Sequence, residues 1–197
     1  MTFRLMVALF LMTALSRAQP FNPPALVGPG LAEVFNFEGK HVSLVPEGWQ
    51  AQAGGVSLDR FGAHEGKWGV RLDSDTKRPG LITHLNKTLL VDFTGQQIEF
   101  RAFLKTEAVT ESATLSMALL DADQKELSRY IMLGGDRKGT TPWQEGIVRM
   151  PLLPGAAAVR LWIFAKGGTT WVDDIRLLVD GKPVWEAPKI AAVTHAP

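Results

Sequence analysis

The stretch from Gly139 to Gly181, GTTPWQEGIVRMPLLPGAAAVRLWIFAKGGTTWVDDIRLLVDG, leaves few folds open to this chain. Three runs stand in it, Gln144 to Met150, Ala158 to Ala165 and Thr170 to Val179, parted by Pro151, Pro154-Gly155 and Gly167-Gly168. Proline has no amide to give to a ladder and glycine supplies turn geometries, so the runs read as three consecutive short strands.

The chain before them reads the same way. In Gln97 to Lys105, Ile98, Phe100, Ala102 and Leu104 share one face while Glu99, Arg101, Phe103 and Lys105 share the other, a period of two. Leu115, Met117 and Leu119 alternate with Thr114, Ser116 and Ala118, and the Asp121-Ala122-Asp123 turn leads to a strand over Leu127 to Leu133. Shorter candidates are Val34 to Glu38, His41 to Val45, Val56 to Arg60, Gly69 to Leu72, Leu81 to Leu85 and Leu89 to Phe93. The best helical competitor, Ala108 to Asp121, holds Val109, Thr110 and Thr114 and has no clean apolar stripe. The expected fold is all-β: one antiparallel jelly-roll β-sandwich of roughly eight to ten strands, spanning residues 33–181. No internal repeat is present.

The ends differ in kind. Arg4 followed by an apolar run from Leu5 to Leu15 and by Ser16-Arg17-Ala18 reads as a secretory signal peptide over residues 1–18, too short and wrongly flanked to span a membrane. Residues 19–32, with Pro20, Pro23, Pro24 and Pro29, read as an extended leader. Residues 182–197 read as a C-terminal tail trailing over the surface, anchored at most by Trp185. The expected location is secreted or periplasmic, with no membrane span once the signal is removed. The 197 residues contain no cysteine, so a folded domain must rely on its core or on a bound metal. Basic residues number 21 and acidic residues 20, a balance that gives no electrostatic case for nucleic acid.

Catalytic motifs are missing from the sequence. There is no G-x-S-x-G elbow, and His41, His64, His84 and His195 fall in no zinc-like spacing. The expectation is a protein that is not an enzyme; convergence of two carboxylates in a pocket is the one arrangement that sequence leaves open. The aromatic residues carry more. In Val159 to Lys166, Val159, Leu161, Ile163 and Ala165 form one face, which puts Trp162 and Phe164 on the other beside Arg160 and Lys166. One reading is a stacking platform for a sugar ring, with Arg160 as a donor and Arg101, Phe103 and Lys105 on the same sheet face. The other is that a loop or the proline-rich termini cover both rings. Trp49, Trp68, Trp143 and Trp171 are expected to plug the ends of the sandwich.

Four segments, taken in order, resemble the galactose-binding-like jelly rolls found in carbohydrate-binding modules. They are Phe35-Asn36-Phe37-Glu38-Gly39, Pro46-Glu47-Gly48-Trp49, His64-Glu65-Gly66-Lys67-Trp68-Gly69-Val70-Arg71-Leu72, and Gly167-Gly168-Thr169-Thr170-Trp171-Val172-Asp173-Asp174-Ile175-Arg176-Leu177. The resemblance covers residues 33–181. It implies a structural calcium held by Glu38, Asp173 and the carbonyl near Lys67, with Asp174 as a substitute; calcium takes six to eight hard oxygens. The alternative is that Glu38 and Asp173 are strand-end carboxylates capped by backbone amides. The implied function is an exported, non-catalytic carbohydrate-binding module whose partner is a polysaccharide, with Trp162, Phe164, Arg101 and Arg160 as its ligand-binding residues. A jelly roll serving as a structural or protein-interaction domain of the cell envelope is the alternative.

Overall fold

The computed structural model of the protein describes residues 35–39, 43–52, 55–78 and 80–190. The expected signal peptide, the leader, His41, His195 and the last seven residues of the expected tail lie outside the described residues.

Among the described residues ten strands form, all paired antiparallel: β1 Gln50–Gln52, β2 Val56–Asp59, β3 Gly69–Ser74, β4 Thr83–Leu90, β5 Gln97–Leu120, β6 Glu126–Ile131, β7 Arg137–Pro151, β8 Ala158–Lys166, β9 Gly168–Val179 and β10 Lys182–Pro183. The architecture is the expected jelly-roll β-sandwich. The two strands expected at 97–105 and 114–119 are one strand of 24 residues. A flat strand of that length would run about 80 Å, far beyond an ordinary sandwich. It bends instead, with register shifts against β7 between Leu104 and Ala113 and with Ala108 at φ 50°. Before the bend, Ile98 to Glu107 pair with β9; after it, Ser112 to Leu120 pair with β8. β5 therefore belongs to both layers. One runs β2-β3-β9-β5-β7 and the other β1-β4-β8-β5-β6. Gly168 makes the crossing possible: at φ 131° it lies so close to β5 that a Cβ would stand 2.6 Å from the Ala108 carbonyl oxygen.

The inward faces match the alternation. Ile98, Phe100, Ala102 and Leu104 from one half of β5 and Leu115, Met117 and Leu119 from the other pack with Leu72, Leu85, Leu161, Ile163, Val172 and Leu177 in one core. Two expectations change. Phe35 and Asn36 form a turn of helix rather than a strand, and Phe37 sits at φ 60°; both phenylalanines pack on Trp49 and close that end of the core. The segment 182–190 does not trail away. It pairs β10 with β9, buries Val184 and Ala187, and bridges Lys189 to Phe93, so apolar burial at two positions fixes it where Trp185 alone was expected.

Lys87 is the one core position on β4 that a charge occupies. It faces inward between Leu85 and Leu89, donates from Nζ to the Gly48 carbonyl at 2.7 Å and lies 6.0 Å from the Trp49 ring centroid. Burial pulls its ammonium from 10.5 down to about 8. Between those values the unfolded chain holds a proton that the folded chain has shed, so stability rises with pH across that window and falls as pH drops through the folded pKa. Comparison of chemical unfolding of the wild type with that of Lys87→Met from about pH 8 to 10.5 is expected to show a gain on the order of 2 kcal/mol in the wild type only. Equal slopes in the two proteins would refute it.

Candidate functional site

Trp162 and Phe164 project from the outer face of β8, away from the core. Their rings stack at 6.3 Å between centroids and 14° between planes. Across the ladders, Trp162 is flanked by Asn86 and Ser116, and Phe164 by His84 and Thr114; His84 meets the Phe164 ring edge-on at 5.7 Å. Arg160 lies 5.6 Å from the Trp162 centroid, donating from Nε to Thr88 Oγ1 at 2.9 Å and from Nη2 to Gln124 Oε1 at 3.2 Å. Among the described residues the cover on Trp162 is a side chain; the proline-rich leader and the last residues of the tail lie outside the described residues. The Arg129 guanidinium, from β6, sits 4.2 Å from the ring centroid and is held there by Glu126, leaving Trp162 only 9% exposed. Phe164 is half-buried.

Arg101 does not join this group. It lies before the bend of β5, opposite Ile147 and Arg176, so it belongs to the other layer. There its guanidinium pairs with Glu99 at 2.7 Å and Glu145 at 3.5 Å. Phe103 and Lys105 go with it. Alternation along a strand identifies the outward residues but not the layer, because one strand serves both. Sequence reasoning also missed Arg129 and His84, whose place follows from cross-strand register alone.

On the layer that carries Arg101, the loop from Arg60 to Trp68 folds over the outer face. Trp171, expected to plug an end, lies under it instead, donating from Nε1 to Asp59 Oδ2 at 2.9 Å with the Lys105 ammonium 4.5 Å from its ring centroid. Two carboxylates pin this loop. Glu38 Oε1 accepts the amides of Lys67 at 2.6 Å and Trp68 at 2.9 Å; Asp173 Oδ2 accepts those of His64 at 2.7 Å and Glu65 at 3.1 Å, and its Oδ1 that of Asp174 at 2.7 Å. Gly66 is required at this approach: a Cβ there would stand 2.4 Å from Glu38 Oε1. Burial pushes the Asp173 carboxyl above its ordinary value against the pull of the three amides, and the Asp174 charge adds to the rise.

Glu38 and Asp173 line one cavity of about 250 Å³ with Asn36, Glu65, Gly66 and Asp174. In kind these oxygens suit calcium, as does a carbonyl from Lys67; three of the four carboxylate oxygens already accept amide hydrogens. Asp174 pairs with Arg176. Carboxylates bound to main chain or to arginine in this way are poorly placed to act as the acid and base of a hydrolase. Beside them His64, Glu65 and Asp174 bring one donor atom each to within 4.8 Å of the others. No histidine spacing signals that group, since its members come from a loop and a distant strand.

These features define an antiparallel jelly-roll β-sandwich. Solved structures of the same class include the family 22 xylan-binding domain of a Paenibacillus barcinonensis enzyme, 14% identical, with a TM-score of 0.52, covering 71% of this chain and 90% of that one. The C-terminal family 22 carbohydrate-binding module of a Clostridium thermocellum enzyme is 15% identical, with a TM-score of 0.52, covering 76% of this chain and 94% of that one. The enzymatically active domain of a bacteriophage CBA120 tailspike is 11% identical, with a TM-score of 0.53 over 68% of this chain, but this chain spans only 19% of its length. No protein-family model matches the chain, and no curated protein matches it by sequence. Among the described residues no helix is long and apolar enough to cross a membrane.

Proposed function

We propose that the protein is an exported, non-catalytic module that binds a polysaccharide on the outer face of the layer carrying β4 and β8. The observation that carries this reading is the stacked Trp162–Phe164 pair, an apolar surface of the kind a sugar ring covers, with Arg160 and the side chains of His84, Asn86 and Thr114 around it. Arg129 covers the tryptophan in the free protein, and a sugar ring takes its place. Family 22 modules of the same fold, one of them xylan-binding, support the choice of ligand class. Arg101 is left out of the site.

A panel of insoluble polysaccharides tests it. The chain is expected to be retained on one glycan class, and Trp162→Ala, with its fold checked by circular dichroism, to lose retention. Unchanged retention of that variant would sink the site. For the other layer of the sandwich we propose structural calcium on Glu38, Asp173 and the Lys67 carbonyl, supported by the two carboxylates sharing one cavity. The same panel and a thermal melt, run with calcium and then with chelator, read that proposal: a higher Tm with calcium is expected, and an identical Tm overturns it.

One observation favours a second reading, a protein-interaction domain of the cell envelope. Leu127, Tyr130, Ile131 and Leu133 are all exposed along or beside the edge strand β6. An empty glycan panel from folded protein would shift the preference to that reading.

A further inference from the structure

We propose that His64, Glu65 and Asp174 form a transition-metal site, for an ion of the zinc class, which Arg176 guards in the metal-free chain. The inference is independent of the glycan reading and uses donors other than those proposed for calcium.

The three donor atoms lie within 4.8 Å of one another. Zinc bonds of about 2.0–2.2 Å place the donors of one ion about 3–4 Å apart, so small side-chain rotations complete the set. The second observation is the imidazole itself. His64 Nδ1 is shielded from solvent and has no hydrogen-bond partner among the described residues, a state that costs free energy unless something bonds the ring.

The ring is also held in place. It stacks on Phe103 at 3.9 Å and 12°, and meets Trp143 edge-on at 5.4 Å, while the amides of His64 and Glu65 are fixed by Asp173. Little reorganisation is left for a metal to impose.

The nitrogen decides the class of ion. Calcium selects all-oxygen sets, whereas one imidazole with two carboxylates suits zinc or cobalt and leaves a coordination position open. Arg176 now supplies the positive charge, bonding both oxygens of Asp174 and lying 5.9 Å from the Phe103 centroid. An incoming cation must take Asp174 from it.

Opposite effects are therefore expected from neighbouring substitutions. Titration calorimetry of the full chain with zinc chloride, with the visible absorption of the cobalt complex as a second readout, is expected to show one ion bound per chain. His64→Ala and Glu65→Gln should each weaken binding by at least about tenfold, and Arg176→Gln should strengthen it. Glu65 is exposed, so Glu65→Gln tests the site even where His64→Ala disturbs the stack. Calcium at the same concentration should not displace zinc from the wild type.

Absence of one-to-one binding, or binding untouched by both His64→Ala and Glu65→Gln, overturns the site. Displacement of zinc by equimolar calcium overturns the choice of ion, and weaker binding in Arg176→Gln overturns the role of the arginine.

Discussion

Phe100→Ala is expected to cost about 3–5 kcal/mol of unfolding free energy. Phe100 has no exposed surface and sits on β5 between Val148 of β7 and Leu177 of β9. Its ring faces a core to which both layers contribute. Truncation leaves a cavity that neighbours on three strands cannot fill without breaking register. Because β5 is common to both layers, urea transitions followed by tryptophan fluorescence and by circular dichroism should shift together, with an unchanged slope. Phe100→Leu should recover most of the loss. A truncation cost below about 1 kcal/mol, or two separated transitions, would show that the layers do not depend on one core.

Asp173→Ala is expected to cost about 2–4 kcal/mol, because it strands the amides of His64, Glu65 and Asp174 at a position that water scarcely reaches. Of the two carboxylates that pin the loop over the outer face, Glu38 then remains. Hydrogen exchange at the His64 and Glu65 amides should accelerate far more than exchange in β4 or β8. Asp173→Asn should fall between, since its side-chain carbonyl accepts from the loop while its amino group opposes another donor. Protection at His64 and Glu65 that survives Asp173→Ala would mean that stacking on Phe103, not the carboxylate, holds the loop.

Both expectations rest on positions that sequence marks in different ways. Phe100 is legible from its place in an unbroken alternation, and the same is true of Leu115, Met117, Leu161 and Ile163, all of which are buried. Asp173 and Glu38 are legible through the ordered motifs of a jelly roll, including the possibility that amides cap them. Trp162 and Phe164 are legible as outward residues. Arg101 was misplaced because the period of two reports a face and not a layer, and nothing local in Gln97 to Leu120 says that the strand turns from one layer to the other. The helical turn at Phe35 escaped a local reading for a related reason: burial of Phe35 and Phe37 against Trp49, some distance along the chain, outweighs their strand propensity.

The sequence by itself determined the fold class, the strands from Gly139 onward, the residues of the core and the two carboxylates that meet one loop. The first three are written in periodicity and turn chemistry, which act over a few residues; the two carboxylates are what the resemblance to jelly-roll motifs implies. Only the tertiary structure decided that Arg129 lies on Trp162, that Arg101 faces away from it, and that His64 and Glu65 meet Asp174. Each of those contacts depends on cross-strand register or on how a loop packs over a sheet, and both are set by burial of surfaces far apart in the chain.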